Sequence, residues 1–475
     1  MSEILWHAAE LAPVMRGETP VALSQPITSI SIDTRTLEPG ALFFAIRGDA
    51  QDGHNYVRQA LEKGAGAAVI ERARASEFAG LPVVLVEDTL RAMEALGRAG
   101  RARLKGHAIA VTGSVGKTST KEMLKVALSG QGKTHASVAS YNNHWGVPLT
   151  LARTPEDAAY AIYEIGMSAS FEILPLTAMV RPEIAIVSTV EPVHLAQFPS
   201  VDAIADAKGE IFSGLEPGGV ALINADNPYA ARLKLHAGAS RAGRIVTFGA
   251  AEGADIRLID IKLDPDFSLV EADVFGQRVA YRIGAAGRHF AMNSLAVLGA
   301  AKLAGADLAL SALALAGFGY VEGRGQRLQL AIQDKSFTLI DESYNANPSS
   351  MRAALAVTGS IPRGSRGRRI AVLGDMLELG PQSPQLHAGL SSAILEHDID
   401  LVYAAGEMMR HLFQTLPAER RGAYAEDADT LAPLVAAAVA PGDVVVIKGS
   451  NGSRTGRIVA ALKARFPAQV AEAEG

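Results

Sequence analysis

The chain has 475 residues, enough for about three domains at roughly 100 to 200 residues each, so a single small binding module is excluded. With 48% hydrophobic and 20% charged residues it can bury cores of ordinary size, which excludes a disordered chain, a collagen-like fibre and a coiled-coil rod. Its 45 Lys and Arg against 50 Asp and Glu leave a formal charge of -5 without single-sign blocks, so no basic footprint for nucleic acid is present.

In chain order, the first residues carry Glu3, His7 and Glu10 among apolar neighbours, which breaks the apolar core a signal peptide needs. Short strands are expected at Ile27–Asp33, Leu42–Ala45, Ala67–Ile70 and Val83–Val86 around one helix, Asn55–Lys63, as a small α/β domain over residues 1–104. A second series, His107–Thr112, Ala161–Ile165, Ile184–Val190 and Val220–Asn224, alternates with amphipathic stretches, the pattern of a parallel sheet covered by helices, and forms a central domain over 105–318. Within it, the apolar and polar alternation of Asp255–Ile283 predicts antiparallel strands. The longest uncharged apolar stretch, Leu308–Val321, is shorter than the roughly 20 residues a membrane helix needs, so no integral membrane segment and a cytoplasmic protein are expected. The glycines of Gly317–Gly325 suit a hinge, and a third series, Phe337–Asp341, Ile370–Gly374, Leu401–Ala405 and Val444–Lys448, predicts a Rossmann-like α/β domain over 319–475. The absence of cysteine removes disulfides, thiolate zinc sites and thiol catalysis.

The strand His107–Thr112 runs into Gly113-Ser114-Val115-Gly116-Lys117-Thr118-Ser119 and then a helix. Strand, glycine turn and helix form a phosphate cradle: glycines let backbone N–H groups approach phosphate oxygens, and the helix N-terminus adds partial positive charge. Lys117 would reach the β- and γ-phosphates of ATP, and the Thr118 hydroxyl would hold Mg2+. The spacing departs from the usual phosphate loop, because Val111 stands five before Gly116. Glu164, near a strand end beside the cradle, offers magnesium a second hard oxygen. The alternative for Glu164 is a polar strand end, and for Lys208, between Asp206 and Glu210, an ordinary solvated lysine.

The loop Thr112–Thr120 resembles that of the Mur ligases, the ATP-dependent amide ligases that build the peptide of bacterial peptidoglycan. Further motifs follow in order: Tyr141-Asn-Asn143 with Gly146-Val-Pro-Leu149, Glu164-Ile-Gly-Met167, His194-Leu195, Ala207-Lys-Gly-Glu-Ile-Phe212 and Asn224-Ala-Asp-Asn227. Gly287-Arg-His289 with Asn293, Asp341-Glu-Ser-Tyr-Asn-Ala-Asn-Pro348 and Gly374-Asp-Met-Leu-Glu-Leu-Gly380 complete them, so the resemblance covers nearly the whole chain. Tyr344–Met351 and Gly374–Gly380 are most similar to the branch that joins D-alanyl-D-alanine to UDP-N-acetylmuramoyl-tripeptide through an acyl phosphate, the two partners implied here. The C-terminal Lys448-Gly-Ser-Asn-Gly-Ser-Arg454 resembles the family's Lys-Gly-Ser-Arg run with residues inserted.

The resemblance implies a cytoplasmic ATP- and Mg2+-dependent ligase of peptidoglycan synthesis, with a monomer as the simplest expectation. Its implied catalytic set is Lys117, Glu164, His194, Lys208 and Arg324, with Arg327 as the alternative hinge cation. His194 would join Thr118 and Glu164 at the metal, as would Lys208 if carbamylated. Asn293, Arg324, Asp341 and Asn345 would join the loop around ATP, Asn293 at adenine and Asp341 at the ribose. Asp341 could instead cap a turn. Asp33-Thr34-Arg35, Asp52-Gly-His54, Asn142, Asn143 and Asn347 would meet the substrates. Arg35 could pair with the diphosphate or with Asp33, and Asn345 and Asn347 could orient the dipeptide amine or stabilise an Asx turn. Two alternatives remain open. Another Mur or folylpolyglutamate-type ligase would use the same ATP chemistry on a different acceptor. A phosphate-loop kinase or GTPase would leave the N-terminal domain and Tyr344–Met351 unexplained.

Overall fold

The computed structural model describes residues 3–48, 51–138, 140–193, 195–264, 266–319, 323–364 and 366–468. Among them the chain forms three sheets. The first comprises β1 (Ser29–Ser31), β2 (Ala41–Phe44), β3 (Ala67–Glu71) and β4 (Val83–Val86), parallel in the order β1-β2-β3-β4. Fully buried runs such as Ala41–Phe44 fit strands covered on both faces. One face packs on Leu11 and Met15 of the Ala8–Met15 helix and on Met93 and Leu96 of the Thr89–Arg103 helix. The other packs on Val57, Ala60 and Phe78. The expected single helix is therefore one of three: Asn55–Lys63 resolves into a 3-10 turn, Gly53–Tyr56, and a helix, Val57–Glu62, and the other two flank the opposite face.

The central sheet comprises β5 (His107–Thr112), β6 (Thr134–Ala136), β7 (Tyr160–Glu164), β8 (Ile184–Val187), β9 (Val220–Asn224), β10 (Arg244–Gly249), β11 (Ile256–Leu263), β12 (Ser268–Val274) and β13 (Gln277–Ile283). Their order is β13-β12-β11-β10-β9-β8-β5-β7-β6, parallel from β6 to β11 and antiparallel from β11 to β13, as the alternation of Asp255–Ile283 requires. The chain leaves β5 for β6 and β7 on one side and crosses to β8 on the other. A crevice therefore opens at the C-terminal ends of β5, β7 and β8, the usual place for a ligand in such sheets. Val111 on β5 lies in register with Glu164 on β7, which sets that carboxylate beside the start of the phosphate loop.

The third sheet comprises β14 (Gln326–Ile332), β15 (Lys335–Glu342), β16 (Arg369–Gly374), β17 (Leu401–Ala405), β18 (Arg421–Ala425) and β19 (Val444–Lys448), ordered β14-β15-β19-β16-β17-β18. It is parallel apart from the β14–β15 hairpin. This hairpin starts directly after Gly325, so the series begins one strand earlier than Phe337–Asp341. The register pairs Asp341 with Ile447 and Glu342 with Lys448, and so brings two distant motifs to one sheet end.

Candidate active site

At Gly113 (φ 149°) a Cβ would stand 2.0 Å from Ser188 Oγ, and at Gly116 (φ 86°) one would stand 2.8 Å from Asn293 Nδ2. Both conformations favour glycine, which is why the turn between β5 and the Lys117–Ser129 helix has these residues there. The loop is pinned from β8 and beyond. Ser114 N–H donates to Thr189 O (2.8 Å), Ser114 Oγ donates to Glu191 O (3.0 Å), and Ser188 Oγ donates to Val115 O (2.6 Å). The Ser114 hydroxyl thus shapes the loop, leaving the backbone and Lys117 to face a phosphate. Lys117 Nζ donates to Gly113 O at 2.6 Å. Burial, joined by the charge of Arg324 and opposed by Glu164, pushes its ammonium down to about 8.

Glu164 ends β7 with 1% exposure. Its Oε1 accepts from Thr118 Oγ1 (3.1 Å) and Asn142 Nδ2 (2.8 Å), while its Oε2 is buried with no hydrogen-bond partner. A buried carboxylate oxygen without a donor is costly unless a cation completes it. Together with the Thr118 hydroxyl it makes a hard-oxygen pair that fits magnesium, which keeps waters and phosphate oxygens as its other ligands. Lys208 is buried near the end of the Val201–Gly209 helix, and among the described residues no carboxylate lies within ion-pair distance of its ammonium. Burial and the charge of Lys117 push it well below the ordinary lysine range. It is not the solvated lysine that its acidic neighbours allowed, because Asp206 turns to Arg232 (2.6 Å) and His236 (2.8 Å), and Glu210 accepts from Phe171 N–H (2.8 Å). His194 lies outside the described residues.

Two cavities lie where the third sheet meets the loop. One, of about 300 Å3, runs between Val115, Gly116, Ser119 and Asn293 on the central side and Asn345 and Asn347 on the other. The second, of about 720 Å3, begins at Thr118 and continues along Asp341 to the Asn451–Ser453 turn and the Gly456–Arg465 helix. Arg324 lines both, with its guanidinium 4.4 Å from the Tyr344 ring centroid. Arg327 instead points to Asp266 (3.3 Å) and lines neither cavity. Asp341 accepts from Ser343 N–H (3.1 Å) and Ser343 Oγ (2.6 Å), a turn contact that still leaves it on the cavity wall. Asn347 caps the Pro348–Ser360 helix through Oδ1, and its buried Nδ2 has no partner. Asn345 Oδ1 accepts from Ala346 N–H (2.9 Å).

Several lining residues were given no role by the sequence reading, although His289, Glu342 and Lys448 stand within its motifs. Lys448 Nζ donates to Glu342 Oε2 (3.0 Å) and Asn345 O (2.9 Å), and the imidazole of His289, pushed down by burial, stands on the same cleft. Glu191 accepts from Ser349 Oγ (3.0 Å) and ties the third sheet's domain to the loop. The available signal was the position of Glu342 and Lys448 at the ends of neighbouring strands.

The N-terminal residues divide. Arg35 donates to both oxygens of Asp33 (2.6 to 3.0 Å), with its side chain 85% exposed, and this contact holds the Asp33 carboxyl below its ordinary range. The Thr34 hydroxyl donates to Gln59 Oε1 (2.9 Å). His54 is buried, with Nδ1 on Asp52 (2.6 Å) and Nε2 accepting from Glu71 N–H (3.0 Å), so both ring nitrogens hold the domain together. Asp52 also accepts from Arg74 (3.0 Å). Asn143 Oδ1 accepts from Gly146 N–H (3.0 Å) at the start of the Gly146–Ala152 helix, unlike Asn142, which joins Glu164. The structure therefore gathers Lys117, Thr118, Asn142, Glu164, Lys208, Arg324 and Asp341 around the loop, and sets Asp33, Thr34, Arg35, Asp52 and His54 apart in the first domain.

Comparison with known proteins agrees along the chain. Residues 26–101 match the Mur ligase family catalytic domain, 111–301 the Mur ligase middle domain and 324–451 the Mur ligase, glutamate ligase domain. The UDP-N-acetylmuramoyl-tripeptide–D-alanyl-D-alanine ligase of Escherichia coli is 33% identical over 96% of this chain and 98% of its own. The ligase of the same name in Bacillus subtilis is 32% identical over 91% and 92%. Among solved structures, MurF from Acinetobacter baumannii superposes with a TM-score of 0.82 at 29% identity, covering 97% and 99% of the two chains. The MurF ligase of Thermotoga maritima, solved in complex with ADP, shares the fold with a TM-score of 0.74 at 24% identity over 92% and 98%. With curated relatives above 30% identity along almost its whole length, the chain belongs to the Mur ligase family.

Proposed function

We propose that the protein joins D-alanyl-D-alanine to UDP-N-acetylmuramoyl-tripeptide at the expense of ATP, giving the pentapeptide precursor of peptidoglycan. The observation that carries the reading is the unpartnered buried oxygen of Glu164 beside Thr118, Lys117 and Lys208, at a phosphate loop faced by a second domain. A carboxylate oxygen of the tripeptide attacks the γ-phosphorus of ATP, the bond to the β–γ bridging oxygen breaks, and ADP leaves. The dipeptide amine then attacks the acyl carbon, phosphate leaves with the bonding pair, and the new amide nitrogen sheds its proton.

Two anions must meet in the first step, and Lys117, Arg324 and the helix N-terminus supply fixed positive potential there. Thr118 and Glu164 would hold magnesium, which when bound neutralises phosphate charge. Lys208, whose burial and neighbouring Lys117 disfavour the charged ammonium, is suited to add CO2. Its amine nitrogen would attack the carbon and lose a proton, and the resulting carbamate would offer the metal an oxygen and relieve the repulsion with Lys117. Asn293 and Asn345 line the smaller cavity, where they would meet the base and sugar of ATP, while Asp341, on the adjoining one, would accept from the ribose. In this reading residues 1–104 hold the UDP part, 105–318 hold ATP and 319–475 bring the dipeptide, in a cytoplasmic monomer. Among the described residues no helix is long and apolar enough to cross a membrane.

The test is phosphate release with each reactant omitted in turn. Release that requires ATP, magnesium, UDP-N-acetylmuramoyl-tripeptide and D-alanyl-D-alanine together is expected. Equal release with glutamate or a single amino acid in place of the dipeptide would favour another acceptor.

A further inference from the structure

The smaller cavity presents the groups suited to a nucleotide base, which leaves most of the 720 Å3 cavity without an occupant. It starts at Thr118 and Glu122 on the phosphate-loop helix, and its remaining walls come mainly from residues after Gly323. Among the described residues the central domain adds only Ser140 to these, and no residue of the first domain lines it.

Its cations are Arg324, Arg454, Arg457 and Lys463, against Glu122 and Asp341. Arg457 pairs with Asp429, Lys463 stands 4.0 Å from Asp341, Arg324 stacks on Tyr344, and Glu122 pairs with Lys121. Among the described residues Arg454 has no carboxylate within ion-pair distance. Its backbone is also left-handed (φ 57°, ψ 24°), at the end of the Asn451–Ser453 turn and before the Gly456–Arg465 helix. Glycine would serve that turn better, so local structure gives no reason for arginine.

We infer that Arg454 binds the C-terminal carboxylate of the incoming dipeptide and is thereby a specificity-determining residue. The inference rests on the ligase reading above. The dipeptide's amine must reach an acyl carbon near Thr118, and two extended residues carry its carboxylate about 7 Å further on. That direction leads along the cavity into the third domain, where a guanidinium can meet a carboxylate with two parallel hydrogen bonds.

The experiment compares D-alanyl-D-alanine with its C-terminal amide as the amine substrate of the full-length enzyme, in wild type, Arg454→Gln and Arg454→Gly. Wild type should prefer the free carboxylate by about 10- to 100-fold in kcat/KM, the range of a charge-assisted contact. Both variants should bring the ratio to within about 3-fold. Arg454→Gly should melt no lower than wild type, because it relaxes the left-handed turn, and this separates recognition from folding. Retained discrimination in the variants would overturn the assignment, as would a wild type indifferent to the amide or a shift confined to the KM of the UDP-tripeptide. If wild type turned over no D-alanyl-D-alanine at all, the ligase reading itself would fail and this inference with it.

Discussion

Folding makes the charge of Lys117 costly. Its pKa is about 8 in the folded chain against 10.5 for a free lysine, so between those values the unfolded state binds more protons and stability rises with pH. Below about 8 both states are protonated and the full penalty is present. Lys117→Met should therefore stabilise the ligand-free protein at pH 7 by about 1 to 2 kcal/mol once the solvent-reached part of the side chain is allowed for, read as a higher melting temperature, and the gain should vanish above about pH 10.5. Turnover should fall at least about 100-fold, because the transferring phosphoryl loses a cation. A lower melting temperature or near-normal turnover in the variant would contradict this account. Lys208 makes a related prediction: bicarbonate-depleted enzyme should lose activity, and Lys208→Ala should recover part of it with added formate or acetate. Intact-protein mass showing an unmodified lysine, together with no rescue, would remove the carbamate. Lys117, Glu164 and Lys208 were legible in the sequence because each sits in its own local motif. The Glu342–Lys448 pair was not, since a strand register joins residues 106 apart.

At the scale of elements, the turn after β5 is built so that only glycine fits at position 113, where both the positive φ and the 2.0 Å approach to Ser188 Oγ act against a side chain. Gly113→Ala should cost about 2 to 3 kcal/mol in urea unfolding and weaken ATP binding. Adding Ser188→Gly should restore only part of this, because the backbone strain remains. Full restoration in the double variant would show that the clash alone matters. The elements that sequence patterning located best are interior strands such as β17 and β19, whose runs Leu401–Ala405 and Val444–Lys448 are almost wholly buried and need no alternation to stand out. Strands β6, β14 and β18 lie at open sheet edges, and their part-exposed residues break any apolar run. The Thr89–Arg103 helix escaped because the face it buries includes small residues such as Ala92, Gly97 and Gly100, which carry little hydrophobic signal.

Across the whole molecule, the reaction asks three modules to bring ATP, a UDP-linked peptide and a dipeptide to one place from which water is kept, because water would hydrolyse an acyl phosphate. The contacts between the second and third domains include Ser349 Oγ to Glu191 (3.0 Å), Arg327 to Asp266 (3.3 Å) and Ala196 N–H to Glu378 O (3.2 Å). Isolated polar contacts of this kind contribute little each, so the arrangement is held weakly until ligands fill the cavities between the domains. Gly323 (φ 72°) and Gly325 (φ 93°), just before β14, give the connection the backbone freedom to rotate. Binding an ATP analogue with UDP-N-acetylmuramoyl-tripeptide should therefore draw the domains together and reduce the radius of gyration measured by solution scattering. Glu191→Ala should leave each domain folded while raising the KM for ATP, because the bridge between Ser349 and the strand ends behind the phosphate loop is lost. An unchanged radius of gyration, in a preparation shown by calorimetry to bind both ligands, would mean that the domains are already set for reaction and that closure is no part of the cycle.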